Sequence, residues 1–375
     1  MRAMADVLSM TVNTLAVFHW RLWAGFLCLL LAAAPAQSQT RFLDPLETPA
    51  DMRTAVAQRS LMAVAKAGDR LVAVGSRGVV IGSDDRGKTW VQAKVPVQND
   101  LLSLHFPTPT EGWAVGHGGV VLHSVDGGKT WSKQLDGRVA APAFKAFYSQ
   151  PGAGAEAAAA LAQLEQNYQA GPVLPFLDVW FEDAQRGYVV GSFGMIAATV
   201  DGGKTWEPWL HRIDNPQYLN LNAIRGIGGE LYIVGERGQI YRLDRNKSRF
   251  VAANTGYLGS FFGIAGNGEV LIAFGLRGTT YRASQRGKSL WEPVQMPNEH
   301  TLTAGVALAE SGQFALVNAA GQLLVGDKAG RHFRLVPTAK PARLTGIASF
   351  DGHTAFVTSL DGIKTETLGD AIAQP

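Results

Sequence analysis

The chain has 375 residues, of which 46% are hydrophobic and 17% are charged, and its formal net charge is only +3. So small a net charge gives no general attraction to nucleic acid or to an anionic membrane surface, and neither is expected as a partner. The single cysteine, Cys28, lies in the N-terminal segment described next, so the rest of the chain has no thiol for a disulfide, a metal site or nucleophilic catalysis.

The first segment has the features of a secretory signal peptide. Arg21 is closely followed by the apolar run WAGFLCLLLAAA, and the small-residue cleavage pattern Ala-Pro-Ala ends at Ala36. We predict that residues 1–36 are removed and that residues 37–375 form a periplasmic protein. No later stretch approaches the roughly 20 apolar residues of a transmembrane helix, so no membrane span is expected after cleavage.

A glycine recurs seven times in the remaining chain, about once every 40 residues apart from one longer interval. The seven positions are Gly78, Gly119, Gly194, Gly238, Gly278, Gly321 and Gly362. Two short apolar runs precede each glycine and a third follows it, as in LMAVA, LVAVG and VVIGS of the first repeat. This period is typical of a β-propeller with one blade per repeat. We predict an all-β fold of seven blades, with each glycine at a positive φ in the hairpin between the second and third strands.

The seventh repeat ends after its third strand, GIKTET. Propeller rings usually close when a strand from one end of the chain completes the blade at the other end. The segment RFLDPLETPA, residues 41–50, precedes the first inner strand. We therefore predict a seven-bladed β-propeller closed by an N-terminal strand.

Three repeats carry a sharper motif between their third and fourth strands. SDDRGKTW, SVDGGKTW and TVDGGKTW match the Asp-box of bacterial neuraminidase repeats. The aspartates are expected to accept backbone N–H groups and fix a turn, and the tryptophans are expected to pack against the neighbouring blade. The predicted structural residues are Asp85, Trp90, Asp126, Trp131, Asp201 and Trp206.

With its VGxxGxxxxSxDGGKTW spacing, the chain resembles the photosystem II assembly and stability factor family. The resemblance covers essentially the whole chain after the signal peptide, and the motifs are best preserved from Val74 to Trp206. It implies a seven-bladed propeller that is not an enzyme and that holds membrane-protein subunits during assembly. The implied partner is an integral membrane protein or its periplasmic segment. The family is also similar to many proteins of non-photosynthetic bacteria.

The residue just before the recurring glycine is an arginine in three repeats, at Arg77, Arg237 and Arg277. These hairpins share one face of a propeller, so the arginines are candidates for binding a carboxylate-bearing protein partner. Independent, solvated arginines are the alternative. Arg343, just before the last inner strand, extends the set, and Arg225, within an inner strand, is expected to line the channel.

The long interval contains an insertion, residues 137–172, between blades 2 and 3. Its alanine-rich stretch AEAAAALAQLEQNYQ predicts one helix on the arginine side of the propeller. Leu161, Leu164 and Tyr168 form an apolar stripe at helical spacing. A lid, a partner-binding helix and a passive insertion are all compatible with this pattern.

A sialidase-like glycoside hydrolase is the alternative function, because sialidases also carry Asp-boxes on propellers. The three arginines imitate a sialidase's arginine triad, but the Arg-Ile-Pro signature is missing and no Tyr–Glu pair is convincingly placed. His105, His117 and His123 lack metal-ligand spacing. We therefore expect a monomeric binding protein with no catalytic residues, metal or cofactor.

Overall fold

The computed structural model describes residues 43–152, 154–284, 290–338 and 343–368. By its internal contacts the chain divides into Met1–Leu43 and Asp44–Pro375. Of the first unit only Leu43 is described, so the predicted signal peptide and Cys28 lie outside the described residues.

The second unit is a seven-bladed β-propeller, which confirms the predicted fold class. Each blade is an antiparallel sheet whose strands follow in chain order from the inside outwards. Blade 1 comprises β1 (Leu61–Ala67), β2 (Arg70–Gly75), β3 (Val80–Ser83) and β4 (Val91–Gln92). Blade 2 comprises β5 (Leu101–His105), β6 (Gly112–Gly116), β7 (Val121–Ser124) and β8 (Ser132–Leu135). Blade 3 comprises β9 (Phe176–Phe181), β10 (Gly187–Gly191), β11 (Ile196–Thr199) and β12 (Glu207–Pro208).

The other four blades follow the same plan. Blade 4 comprises β13 (Leu221–Ile227), β14 (Glu230–Gly235), β15 (Gln239–Asp244) and β16 (Arg249–Asn254). Blade 5 comprises β17 (Phe261–Gly266), β18 (Val270–Gly275), β19 (Thr280–Ser284) and β20 (Glu292–Val294). Blade 6 comprises β21 (Leu302–Ala307), β22 (Phe314–Asn318), β23 (Leu323–Gly326) and β24 (Phe333–Val336). Blade 7 comprises β25 (Leu344–Ser349), β26 (Thr354–Ser359) and β27 (Gly362–Thr367).

The core lies between the blades and is built mainly from their second strands. Each of these is buried along almost its whole length. The inner strands, whose nearly continuous apolar runs also predict burial on both faces, are only partly buried. The seven inner strands contact one another in chain order, and β25 contacts β1, so the ring is closed around a central channel. Each inner strand has a register shift between its first and third residues, such as Leu61 and Ala63 in β1.

The prediction of a closing N-terminal strand is wrong for the residues described. Blade 7 has three strands, and no strand of the described residues pairs with the outer side of β27. Residues 43–50 instead form a 3₁₀ turn at Pro45–Glu47, which Asp44 caps by accepting the N–H of Leu46 at 2.9 Å. Lys133 of blade 2 forms ion pairs with Glu47 and Asp136, which fixes the segment on blade 2 rather than on blade 7. The ring closes through packing of the inner strands, where Thr345 Oγ1 donates to Leu61 O at 2.7 Å.

The insertion between blades 2 and 3 contains two helices, whereas the sequence predicted one. They are α1 (Gly137–Tyr148) and α2 (Gly154–Asn167). The unpredicted α1 is capped by Asp136, which accepts the N–H groups of Arg138 and Val139. Hydrogen bonds from Arg138 and Lys133 outweigh the effect of burial and hold the pKa of Asp136 well below its usual range.

The apolar stripe of α2 is used inside the protein. Leu164 is fully buried, and Leu161 and Tyr168 pack against the same cluster between blades 2 and 3. The hydroxyl oxygen of Tyr148, the last residue of α1, lies 2.9 Å from Pro208 O and 2.8 Å from His211 Nδ1. The helices are therefore packed onto the propeller and do not present this stripe to a partner.

The three turns with the Asp-box sequence have one common geometry. In the first of them Asp85 Oδ1 accepts the N–H of Thr89 at 2.9 Å and Asp85 Oδ2 accepts its hydroxyl at 2.6 Å. Hydrogen bonds from Thr89 and Ser83 lower the pKa of Asp85 to about 2. Asp126 and Asp201 make the equivalent bonds, which outweigh burial and lower their pKa values as well.

Each of these turns packs on the preceding blade. Gly128, in the turn of blade 2, lies against Val72 of blade 1, and Trp131 is 7% exposed in the cluster that joins the two blades. Trp90 and Trp206 are only half-buried. The Trp131 Nε1–H donates to Gly128 O at 3.1 Å, whereas the buried Nε1 of Trp206 has no partner among the described residues.

Candidate partner-binding face

The seven recurring glycines lie at one end of the propeller, in the turns between second and third strands. This end is called the glycine-turn face, and its turns are residues 76–78, 117–119, 192–194, 236–238, 276–278, 319–321 and 360–362. All seven glycines have a positive φ, between 65° and 121°, which confirms the reason given for their recurrence. At Gly278 a Cβ would also lie 2.4 Å from Asn298 O, so no other residue fits there.

The residue before the glycine is also left-handed in five of the turns. In four of them it is a large side chain: Arg77, Phe193, Arg237 and Arg277 have φ values of 51–56°. In three of these four turns its N–H is held by a side chain at the start of the next blade, as where Arg77 N donates to Asp100 Oδ1 at 2.7 Å. Asn220 and Thr301 accept from Phe193 and Arg277 in the same way. These three capping residues were not predicted from the sequence.

A left-handed backbone at a non-glycine residue costs about 1–2 kcal/mol, so four such residues at equivalent turns need an explanation. All four side chains are exposed, and the structure gives them few contacts. Arg237 Nη1 donates to Gln217 Oε1 at 2.9 Å, while the side chains of Arg77 and Arg277 have no hydrogen-bond partner among the described residues. The strained positions therefore carry side chains that the fold itself hardly uses.

We expect Arg277→Gly to leave the protein at least as stable as the wild type. Removing the left-handed strain gains about 1–2 kcal/mol, and the extra chain entropy of glycine loses about 0.5–1 kcal/mol. The glycine pair Gly118-Gly119 already occupies the equivalent turn of blade 2. Denaturant unfolding measures the difference, and a loss above about 1 kcal/mol would mean that the arginine side chain supports the fold.

The arginines are not a single contiguous cluster. Arg237 and Arg277 lie on the neighbouring blades 4 and 5, whereas Arg77 lies on blade 1, across the ring. Arg343 is exposed at the start of blade 7, and its carbonyl accepts the N–H of Leu360 at 3.2 Å. The turn of blade 7 carries the opposite charge, Asp361.

Exposed apolar side chains lie among these arginines. Phe193 is 53% exposed on the turn of blade 3, and Leu276, beside Arg277, is 38% exposed. Leu258, on the connection from blade 4 to blade 5, is 85% exposed. Arginine and aromatic residues are enriched at protein interfaces, and a mixture of the two with aliphatic side chains fits a protein partner better than a small ligand.

The remaining part of the glycine-turn face, over blades 2 and 3, is covered by the chain itself. Leu46 of the N-terminal segment lies against the buried turn residue Gly118. On blade 3, Gln163 and Asn167 of α2 donate to Phe193 O at 2.9 and 3.2 Å. The open part of the face is therefore formed mainly by blades 4 to 7, and the exposed side chains of Arg77 on blade 1 and Phe193 on blade 3 project beside it.

The fifth predicted arginine, Arg225, lies in the channel and not on the glycine-turn face. Its side chain is 37% exposed and forms an ion pair with Asp178, which is 3% exposed. Asp178 also accepts from Ser103 Oγ at 2.5 Å and from the backbone N–H of Ile224 at 2.8 Å, so it links blades 2, 3 and 4. In the sequence, Asp178 stands out only by contrast. It occupies the third position of its inner strand, where the other six repeats have Ala, Ser or Gly.

His105 lines the same channel and is held in its neutral form. Its ring stacks on Trp180 with 3.8 Å between centroids, and its Nδ1 accepts the N–H of Phe181 at 3.1 Å. Burial, with a smaller effect of the Arg225 charge, lowers the pKa of His105 to about 3. The neutral ring therefore carries its proton on Nε2.

The stability of the protein should fall as the pH is lowered from 7 to 5. His105 takes up a proton near pH 6.5 in the unfolded chain but only near pH 3 in the folded protein. The stability that the neutral ring contributes is therefore complete above pH 6.5 and is lost progressively as the pH falls from 6.5 towards 3. The expected loss at pH 5 is about 2 kcal/mol. Urea unfolding at several pH values measures it, and His105→Gln should flatten the dependence. An equal slope in both proteins would contradict the assignment.

His117 and His123 have different surroundings. His123 Nε2 lies 2.5 Å from Glu111 Oε2, and His117 is exposed on the turn of blade 2. Among the described residues no group of three or more His, Cys, Asp or Glu side chains is arranged to hold a metal ion. Within the same residues no helix has the length and apolar character needed to cross a membrane.

Residues 57–142 and 163–241 match the family model described as "Photosynthesis system II assembly factor YCF48". No curated protein matches the chain significantly. Among solved structures, YCF48 from Cyanidioschyzon merolae is 17% identical with a TM-score of 0.61, covering 85% of this chain and 98% of that one. A structure described as YCF48 bound to D1 peptide is 17% identical with a TM-score of 0.60, covering 88% and 96%. A streptogramin B lyase is 12% identical with a TM-score of 0.60, covering 84% and 96%, so the fold is also shared with an enzyme.

Proposed function

We propose that this chain, a member of a photosystem II assembly factor-like family of seven-bladed propellers, is a non-enzymatic protein. It binds a membrane-protein complex and assists its assembly or stability. The observation that carries the proposal is the set of exposed side chains Arg77, Phe193, Arg237 and Arg277, held in left-handed conformations at equivalent turns of one face. Residues kept at a cost to the fold are expected to serve binding.

The proposed partner is a protein segment that brings both carboxylates and apolar side chains. Arg237 and Arg277 on adjacent blades provide guanidinium groups for carboxylates, and Leu258 and Leu276 provide apolar contacts beside them. A peptide complex of a YCF48 structure supports peptide binding as the mode of recognition. The partner proposed here is an integral membrane protein or its periplasmic segment.

The proposed location is the periplasm, after removal of residues 1–36. The support comes from the positive residue, the short apolar core and the small-residue exit of that segment. N-terminal sequencing of the protein purified from its native cells tests this point. A mature chain that begins after Ala36 is expected, and a protein that retains Met1 would contradict the proposal.

The sialidase-like alternative is less well supported by the positions of the arginines. A sialidase needs three arginines that converge on one substrate carboxylate. Arg77 is separated from Arg277 by blades 6 and 7, and from Arg237 by blades 2 and 3. Turnover of a fluorogenic sialoside by the purified protein would reverse this preference.

The proposal is tested by affinity capture from solubilised envelope. The test protein is the triple variant Arg77→Glu/Arg237→Glu/Arg277→Glu, which we expect to lose the partner that the wild type captures. The matched control is Lys88→Glu/Lys129→Glu/Lys204→Glu, because these exposed lysines occupy equivalent positions in the three Asp-box turns at the other end of the propeller. The same total charge change there should leave capture intact. Equal capture by all three proteins, or loss only in the lysine variant, would refute the proposed face.

A further inference from the structure

The central channel contains a cavity whose wall is strongly asymmetric. One section has a volume of about 290 Å³, and a second of about 360 Å³ shares part of its lining. The fifth residue of the inner strand is small or aliphatic in blades 1, 5, 6 and 7, at Ala65, Ala265, Val306 and Ala348. In blades 2, 3 and 4 the same position holds His105, Trp180 and Arg225, and all three line both sections.

These three side chains present hydrogen-bond donors that the protein leaves unused. The acceptor nitrogen of His105 is occupied by Phe181 N–H, so its Nε2–H is free to donate. Within the described residues no acceptor is bonded to His105 Nε2, to Trp180 Nε1 or to the Nε and Nη2 atoms of Arg225, and none of these atoms is among the buried atoms without partners. They are therefore accessible from the cavity.

Asp178 does not bind the unused donor atoms of Arg225. It accepts from Ser103, from the backbone of Val179 and Ile224, and from Arg225 Nη1 alone. The Nε–Nη2 edge of the guanidinium remains, and this edge has the spacing that binds a carboxylate through two parallel hydrogen bonds. Because Asp178 already offsets the charge of Arg225, a monoanion matches the site better than a dianion.

We propose that the channel binds a small organic monocarboxylate, with its carboxylate on Arg225, His105 and Trp180 and its apolar body against the wall formed by blades 5, 6, 7 and 1. That opposite wall includes Ala65 and Val306, which have no polar group in their side chains. Thr303 and Thr345 also line it, but their hydroxyls donate to Leu344 O and Leu61 O, and the exposed Lys66 lines only the second section. The cavity volume is near the lower end of the range for small-molecule sites, which suits a ligand of roughly ten to fifteen non-hydrogen atoms. This site is separate from the glycine-turn face and does not depend on the proposed partner.

Calorimetric titration of the purified protein with benzoate tests the proposal. We expect saturable binding at one site with a Kd on the order of 1 mM, and no binding of benzamide or of inorganic phosphate. Arg225→Lys keeps a cation beside Asp178 but removes the planar edge, and it should weaken benzoate binding about tenfold or more. Ala65→Phe fills the cavity from the opposite wall and changes no charged residue, and it should abolish binding.

Arg186→Gln is the control, because Arg186 is exposed in the hairpin between β9 and β10 of blade 3 and pairs there with Asp183. It should bind benzoate like the wild type. Three results would overturn the proposal: no saturable benzoate binding up to about 20 mM, binding that both Arg225→Lys and Ala65→Phe leave unchanged, or binding of phosphate without benzoate. Thermal unfolding of each variant identifies any that fails to fold, and the comparison of benzoate with benzamide on the wild type needs no variant.

Discussion

Replacing Asp178 by alanine is expected to cause the largest loss of stability of any single polar substitution in the ring. The substitution removes an almost fully buried carboxylate that joins three blades. It leaves Ser103 Oγ and the N–H of Ile224 without this acceptor and, among the described residues, it leaves Arg225 only its hydrogen bond to Ile224 O. Breaking a buried ion pair by removing one partner costs about 3–5 kcal/mol. We expect a value near 3 kcal/mol, because Arg225 is 37% exposed and is partly solvated once its partner is gone.

Denaturant unfolding of Asp178→Ala measures this loss, with Asp183→Ala as the control. Asp183 lies in the same blade, also pairs with an arginine, Arg186, and is 44% exposed. Exposed pairs contribute about 0–1 kcal/mol, so the control should change little. If the two variants lose the same amount of stability, Asp178 does not join the blades in the way described.

The second large effect is expected for Trp131→Ala. Trp131 is 7% exposed and belongs to the cluster that joins blades 1 and 2. Its ring meets that of Phe106 edge to face, with 5.9 Å between the ring centroids. Removal of a buried tryptophan costs about 3–5 kcal/mol. The half-buried Trp90 occupies the same motif position in blade 1, and Trp90→Ala should cost clearly less.

The comparison of Trp131→Ala with Trp90→Ala tests the structural role of the Asp-box turns. Unfolding free energies of the two variants should differ in the order of their burial. A larger loss for Trp90→Ala would show that packing between blades is not what this motif provides. Because Trp131 lies far from the glycine-turn face, its variant should still capture the partner at temperatures where it is folded.

The repeated parts of the fold were predictable because they depend on local patterns. The glycine recurs because its position has a positive φ, as at Gly78 and Gly278. The apolar run of each second strand recurs because that strand is completely or almost completely buried. Both requirements recur once per blade, so seven imperfect copies reinforced one another. The blade number and the hairpin positions followed directly.

The parts that were not predicted depend on residues distant in the sequence. Asp44 and Pro45 form a 3₁₀ turn, and Lys133, almost ninety residues later, holds it on blade 2 through Leu46 O at 2.9 Å. No local pattern of residues 41–50 shows that interaction. In α1, Pro142 obscures the helical pattern, and burial of Phe144 and Tyr148 against blades 2 and 3 stabilises the helix.

The candidate sites also have parts that the sequence predicts and parts that only the structure shows. The arginines of the glycine-turn face were found because they occupy an equivalent position in the repeat. Their left-handed conformation, and the capping residues Asp100, Asn220 and Thr301, required the structure. The donors of the channel come from three different repeats, and only the ring places His105, Trp180 and Arg225 side by side.

Site-specific photocross-linking in intact cells shows which end of the propeller binds the partner. A photoreactive residue is placed at Leu258 or Leu276 on this face, and as controls at Val125 or Val200, which are 61% and 75% exposed in Asp-box turns at the other end. We predict that one membrane-protein product forms from Leu258 and Leu276 and is absent from Val125 and Val200. A product that forms from the Asp-box positions and not from Leu258 or Leu276 would show that the other end of the propeller binds the partner.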